Sequence, residues 1–466
     1  MDYWHKLLRT KSLDRALKQA GEKGKKGLKR SMGVLDLTAL GVGAIIGTGI
    51  FVLTGVAASK YAGPAVVISF IISGVVAGLA ALAYAELASM VPVAGSAYAY
   101  AYSSMGEIVA WLIGWNLVLE YLVAAGAVAV GWSSYFKDML KSVNVIIPPV
   151  LSSSPFEGGY LNLPAVFITL VITWIAIRGT KDSAGATKII VAVKLAVVLL
   201  FIVIGAFRVK SANWTPFAPF GFSGVMHGAA IVFFAYIGFD AVSTAAEEVR
   251  KPDRDLPRGI ISSLVISTVL YILVAGILTG MMKYTGLDTP SPITTALLNS
   301  GIKWASAFVS VGALAGLTSV LLAVIFAQSR IFFAMSRDGL LPPVFSIIHS
   351  KYSTPWLDTL IIGIAVSLVG AFFPVDIIAQ MANIGTLSAL AAVSGGVIIL
   401  RKKKPDMPRP FKMPWVPVLP GLSVLFCIYL MFNLPMLTWI RFGIWIALGL
   451  YLYFGYSFRH SKLAEE

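Results

Sequence analysis

The sequence predicts an all-α integral membrane protein: twelve transmembrane helices, ten of them forming a five-plus-five inverted repeat and two appended. Three observations lead there. Of the 466 residues, 58% are hydrophobic and 13% charged, and the mean hydropathy is +0.83. That is more apolar surface than a water-soluble domain of this length can bury. A bilayer core of ~30 Å needs about 20 apolar residues at 1.5 Å each, and twelve such runs can be placed. Finally, the first ten runs divide into two stretches of nearly equal length, about 34 to 210 and about 223 to 400. An odd number of spans in each half turns the second copy upside down relative to the first.

Taken in chain order, residues 1–31 are rich in Lys and Arg and lack the unbroken apolar core of a signal peptide, so the first span is expected to act as its own insertion signal. Trp4, Leu7, Leu8, Leu13 and Leu17 alternate with basic residues. This suits either a short amphipathic helix on the membrane surface or a solvated basic tail. Spans 1 to 5, near 34–58, 64–91, 107–133, 162–178 and 187–208, make a first repeat over 32–210. Spans 6 to 10, near 223–246, 257–281, 304–333, 357–373 and 377–399, make the second over 211–404. The stretch RKKKPDMPRPFK at 401–412 then sets apart spans 11 and 12, near 415–435 and 439–457, in a segment 405–466 expected to pack outside the core.

A net charge of +15 raises the question of nucleic acid, but the distribution of charge answers it. With twelve spans, 28 of the 37 Lys and Arg fall on the side of the termini, 8 fall on the other, and Lys194 lies within a span. The positive-inside rule therefore places both termini in the cytoplasm of a multi-pass cell-membrane protein. The basic surplus is topological, with no nucleic-acid partner implied, and it is available to anionic lipid at the cytoplasmic face. One cysteine, Cys427, excludes an internal disulfide and a Cys metal framework. His5, His227, His349 and His460 lie far apart, so neither metal nor cofactor is expected.

The first span carries GVGAIIGTGIF at 41–51, with four glycines in eleven residues. Each costs a helix about 0.8–1 kcal/mol relative to Ala, which makes unwinding cheap where water cannot replace lost backbone partners. Aligning Val34 with Ser223 sets Gly49 opposite Gly238 in FFAYIGFD, so both repeats open with an interruptible helix. Paired interruptions of this kind point to a substrate site near mid-membrane. The half-helix restarting at Gly47, Thr48 and Gly49 offers free N–H groups and a positive dipole end, which suits a carboxylate. The carbonyls near Ile45, with those of Phe234, Ala235 and Ile237, suit an ammonium group, and the two together suit a zwitterion. The competing reading is close helix packing, since Gly43 and Gly47 are spaced by four. A dinucleotide motif is excluded, because G-x-G-x-x-G would need Gly where Ile46 stands, and no P-loop is present.

These residues also carry a resemblance. IGTGIFVLTG at 46–55, YAELASMVPVAGSAYAY at 84–100, NLVLEY at 116–121, FFAYIGFDAVSTAAEEVRKPDRDLPRGI at 233–260 and FFAMSRDGLLP at 332–342 are similar to the amino acid–polyamine–organocation (APC) superfamily, and within it to bacterial relatives of the cationic amino acid transporters. The resemblance spans nearly the whole chain. It implies the LeuT-like five-plus-five fold with helices 1 and 6 broken, and secondary transport rather than enzymatic chemistry. It also implies a carboxylate site on Gly47, Thr48 and Gly49 and an ammonium site on the carbonyls of Ile45, Phe234, Ala235 and Ile237. The Phe234 ring is then expected to gate the substrate.

An ionisable group at mid-span costs roughly 2.5–3.5 kcal/mol on insertion scales and calls for an explanation. Lys194 lies about 10 Å into span 5 and can either snorkel to the inner surface or face the protein interior. Its setting, VAVKLAVVLL, resembles proton-coupled relatives that hold a lysine where sodium-coupled ones bind a cation between helices 1, 5 and 8. The resemblance thus implies that Lys194 is the coupling element, loading and releasing a proton. Glu120 sits at the centre of span 3 with Asn116 one turn earlier, and either supports the substrate or bonds a neighbouring helix. Glu86, Asp240, Glu247 and Glu248 lie nearer span ends, where interfacial roles are expected, with a cytoplasmic gate open for the last two.

Specificity is expected from helices 3, 6 and 8. In GLTSVLLAVIFAQSR, Thr318, Ser319 and Val324 share a broad face, and an apolar Val324 favours small or aliphatic substrates. The expectation is a transporter that takes up small neutral amino acids such as alanine by alternating access driven by protons, with cationic amino acids left open as further substrates. Sodium-coupled symport with Thr318 and Ser319 as ion ligands, exchange of cationic amino acids or polyamines, a channel and a non-transporting sensor are the alternatives. Oligomeric state is open.

Overall fold

In the computed structural model the described residues are 9, 32–90, 96–142, 144–179, 183–244, 246, 249–352 and 354–462. The expected surface helix in 1–31 and the carboxylates Glu247 and Glu248 lie outside them. Among the described residues the protein is helical throughout, with isolated bridges but no strand. Helix α1 spans Val34–Ile45, and α2, Thr54–Ala57, is flanked by π-helical Gly49–Leu53 and Ala58–Ala62. Then follow α3 Val66–Met90, α4 Ser96–Ser104, α5 Glu107–Ser142, α6 Leu163–Arg178, α7 Ser183–Ala206, α8 Gly221–Val232 and α9 Ala241–Thr244. The remainder are α10 Pro252–Met281, α11 Pro292–Asn299, α12 Lys303–Arg337, α13 Trp356–Phe372, α14 Val375–Lys403, α15 Val418–Phe432 and α16 Met436–Leu452. Eight helical stretches are long and apolar enough to cross a membrane, and four shorter apolar helices accompany them. Each of the twelve apolar runs of the sequence falls on one or more of these helices.

Local chemistry sets where helices begin. The Gly33 amide donates to Asp36 Oδ2 at 3.0 Å, occupying one orphan donor at the head of α1. Asn162 caps α6 by accepting from the Ala165 amide at 3.3 Å, and Pro164 stands in the first turn, where no N–H is needed. Helices α10 and α11 likewise open on Pro252 and Pro292.

Helix α5, 36 residues and so about 54 Å long, is the central beam. It packs against α12 and α14 and also touches α6 and α13, while α10 lies against both α1 and α3. Its small residues Gly126 and Gly131 let neighbouring helices approach closely. Outward faces carry exposed apolar side chains such as Trp174, Phe308, Leu425 and Ile444, which fits lipid rather than water as the surrounding solvent.

Two buried carboxylates tie the helix ends on the side of residue 462. Glu86, 1% exposed, accepts from Arg401 Nε and Nη2 at 3.0 and 2.7 Å and from the Met413 amide at 2.7 Å, with Arg409 3.5 Å away. The stretch that separates the last two spans is therefore clamped to α3 by bidentate bonds. Glu107, fully buried at the start of α5, accepts from Tyr102 at 3.2 Å, Tyr453 at 3.1 Å, Arg9 at 3.5 Å and Ser461. Four donors converge on one carboxyl from segments far apart in sequence. Glu107→Ala removes the acceptor that all four share, and a loss of about 3–5 kcal/mol follows. A fall of several degrees in the melting temperature of the detergent-purified protein checks this, with Glu107→Gln falling less.

Candidate functional site

The glycine-rich segment of the first span does not hold a continuous helix. After α1 ends at Ile45, Ile46 turns extended (φ −75°, ψ 100°), and the helix resumes with Ile50 and Phe51 donating to the Gly47 carbonyl at 3.2 and 3.3 Å. The amides of Gly47, Thr48 and Gly49 thus head the resumed half, where helix geometry supplies no acceptor. In the sixth span, α8 tightens into a 3-10 turn over Phe233–Tyr236, Ile237 turns extended (φ −60°, ψ 136°), and Gly238 takes φ +108° before α9. Only glycine takes that φ without strain.

The two interruptions touch. A β-carbon on Gly49 would overlap Cα and Cβ of Ala235, and one on Gly238 would lie 3.0 Å from the Ala44 carbonyl oxygen. Tyr271, fully buried on α10, bridges them, its hydroxyl lying 2.9 Å from the Ile45 carbonyl oxygen and 2.7 Å from that of Ala235. One proton is shared between two acceptors, each of which keeps a lone pair for a further donor. The Phe234 carbonyl accepts from the Ile237 amide at 3.2 Å, so it is already engaged within the turn, and the Phe234 ring is 6% exposed. The Thr48 hydroxyl reaches the Ala127 carbonyl on α5 at 3.4 Å.

Lys194 is buried, not snorkelled. It is 0% exposed and its Nζ donates to the Gly43 carbonyl on α1 at 2.7 Å. A β-carbon at Gly316 on α12 would stand 2.8 Å from its Cε, so the side chain runs between α7, α1 and α12. On α12, Thr318 accepts from Trp132 Nε1 at 3.0 Å and donates to the Leu314 carbonyl at 2.7 Å, while Ser319 donates to the Gly316 carbonyl at 2.8 Å. Both hydroxyls are committed to protein partners. The α12 side chain that meets the first interruption is Val320, 3.7 Å from where a Gly47 β-carbon would be. Val324, one turn on, is half-buried against the hydrophobic core.

Asn116 donates to Ser388 Oγ at 3.0 Å, leaving its buried Oδ1 without a protein partner. Glu120, 3% exposed, lies beside Thr386 and Asp240. Asp240 departs from the sequence expectation. Instead of standing at an interface it sits in the second interruption, 6% exposed, with the Tyr121 hydroxyl donating to its Oδ2 at 2.8 Å. The two carboxyl groups flank a cavity of about 10 Å³, also lined by Ile237, Gly238 and Leu117, roughly the room of one water. The geometry thus brings the two breaks, Lys194 and Val320 together, and sets Glu120 with Asp240 beside the second break. Tyr271 and Val320 escaped the sequence reading, and Asp240 was expected at an interface. The first two sit inside regular apolar helices, where nothing marks them, and Asp240 was placed by its distance from a span end.

Residues 32–454 match the amino acid permease family. The chain belongs to that family. Among its relatives is the branched-chain amino acid permease BcaP of Bacillus subtilis (strain 168), 48% identical over 453 aligned positions, covering 96% of this chain and 97% of the relative. The methylthioribose transporter of the same organism is 48% identical over 459 residues, covering 98% and 99%. Cationic amino acid transporter 4 of Homo sapiens is 32% identical over 559 aligned positions, covering 93% and 88%. The chain is accordingly an amino acid permease of the APC superfamily, related to the cationic amino acid transporters, a multi-pass membrane protein and not an enzyme.

Proposed function

We propose that this permease takes up neutral amino acids, from alanine to the branched-chain set, by proton-coupled symport through alternating access. The single observation that carries this reading is the pair of interrupted helices meeting at Gly49 and Ala235, with the Gly47–Gly49 amides and the Ile45 carbonyl at one break and the Ala235 carbonyl at the other. Amides at a resumed helix hold a carboxylate through charge-assisted bonds, and the carbonyls hold an ammonium group. Phe234 closes over the substrate, and Val320 gives the side-chain end of the pocket an apolar wall, which favours an aliphatic residue. Glu120 on α5 supports the second break together with Asp240 in that break, Asn116 one turn earlier ties α5 to α14 through Ser388, and Thr318, Ser319 and Val324 shape the α12 side.

In this reading the twelve spans form the LeuT-like five-plus-five inverted repeat, 32–210 and 211–404, with 405–466 appended and both termini cytoplasmic. Lys194 supplies coupling. Its ammonium, bonded to the Gly43 carbonyl, holds α1 to α7 and α12 as a bound cation would, and loss of its proton frees them to part. The Lys194 side chain already stands between α1, α7 and α12, against the Gly43 carbonyl and Gly316, which supports this over a sodium ion held at that place. The two Bacillus relatives of equal identity are named for an amino acid and for methylthioribose, so the substrate panel includes both. Proteoliposomes given labelled alanine, leucine, arginine and methylthioribose under imposed pH or sodium gradients test the proposal. Accumulation of alanine and leucine driven by an inward proton gradient is expected. Accumulation that follows sodium alone, or that excludes amino acids, overturns it.

A further inference from the structure

The stretch RKKKPDMPRPFK at 401–412, between α14 and α15, carries more positive charge than the fold uses. Arg401 and Arg409 are engaged by the buried Glu86 carboxylate. Arg409 also folds the stretch on itself, its guanidinium donating to the Lys404 and Met407 carbonyls, each at 2.7 Å, and to that of Pro405 at 2.8 Å. A basic side chain thereby closes the C-terminal end of α14. Lys402, Lys403, Lys404 and Lys412 remain, all of them exposed. Among the described residues none of the four has a carboxylate within ion-pair distance, and the one acid of the stretch, Asp406, is exposed as well. Four ammonium groups thus stand on a pinned loop with little in the protein to neutralise them.

Depth decides what meets them. Ser394 on α14 and Ser423 on α15 share a hydrogen bond of 2.9 Å, so these two helices, which run in opposite directions, are level there. Eight residues further toward the connecting stretch, from 394 to 402 and from 423 back to 415, stand Lys402 and Trp415. Trp415 is 78% exposed and Val418, at the start of α15, 59%. An exposed Trp beside an exposed apolar side chain, at the end of a spanning helix, marks the belt where hydrocarbon gives way to headgroups. The lysines therefore lie at headgroup level rather than in open water.

We propose that Lys402, Lys403, Lys404 and Lys412 form a docking surface for anionic phospholipid in the leaflet on the side of residue 462, held in place by the Glu86 clamp. Each lysine at a negatively charged membrane surface strengthens binding about 5-fold, over a range of one Debye length. Phosphatidylglycerol brings the net negative charge that zwitterionic phosphatidylcholine lacks. The test requires neither substrate nor transport, so it stands whatever the permease carries.

The full chain, purified in detergent and stripped of lipid, is given equal amounts of phosphatidylglycerol and phosphatidylcholine, and the lipids retained are counted by native mass spectrometry. The parent protein is expected to retain phosphatidylglycerol in preference, and the triple variant Lys402→Gln, Lys403→Gln, Lys404→Gln to lower that preference about 10-fold or more. Asp406→Asn, which takes away the one opposing charge of the stretch, is expected to raise it about 2-fold or more. A second triple variant, Lys141→Gln, Lys283→Gln, Lys303→Gln, removes the same number of exposed charges from other loops and is expected to shift the preference by no more than about 2-fold. An unchanged preference in the first triple variant overturns the docking surface. So does an equal fall in the second, which signals net charge alone, and so does displacement of phosphatidylglycerol by inorganic phosphate at matched concentration, which signals a site for soluble anions.

Discussion

Lys194→Ala is expected to transport, if at all, at a rate that no longer responds to external pH, whereas uptake by the parent protein is expected to accelerate as the outside is acidified. The buried ammonium bonds the Gly43 carbonyl while its side chain packs on Gly316, joining α7 to α1 and α12. Its removal leaves that carbonyl without its donor and a void between the three helices, and a loss of about 10-fold or more in rate is expected from the missing charge-assisted bond alone. The measurement is initial alanine uptake into proteoliposomes over a series of external pH values at fixed internal pH. A Lys194→Ala protein that still speeds up in acid would place coupling elsewhere, and Glu120 with Asp240 would become the next pair to vary.

Gly49→Ala is expected to abolish transport, while Gly47→Ala, two residues away, keeps a measurable fraction. The distinction is steric. A methyl group on Gly49 would run into the backbone of Ala235, 2.9 Å from its nitrogen and nearer still to its Cα, and backbone at a shared break has nowhere to retreat. At Gly47 the nearest atoms are the Val320 methyls at 3.7 Å, ordinary contact distance. Overpacking costs about 1–3 kcal/mol, and here it also pries apart the two surfaces proposed to hold the substrate head group, so a loss of 100-fold or more in uptake is expected. Size-exclusion profiles of both variants separate a folding defect from a transport defect. Equal activity of the two would mean that the breaks do not need to touch.

How far the sequence carried the reading depends on the range of the signal. Membrane residence is a bulk property of composition, and the twelve apolar runs reappear as helix because a span must satisfy its own backbone bonds in lipid. The interruption at 46–48 was legible because glycine acts locally, and the turn at Gly238 for the same reason, its φ of +108° being one that other residues avoid. Lys194 was visible as an anomalous charge, although depth alone left snorkelling open, and its burial against Gly43 and Gly316 required the fold.

By itself the sequence settled what each segment is able to do: enter lipid, stay helical, or break. Which distant residue completes a break was decided only by tertiary structure. Tyr271 lies more than 220 residues from Ile45, yet it donates to that carbonyl, Val320 rather than Val324 faces Gly47, and Asp240 turns inward beside Glu120. Periodicity reports the face a residue occupies on its own helix. The rotation and depth at which two helices meet follow from how their small and large side chains interlock, and no single segment contains that information.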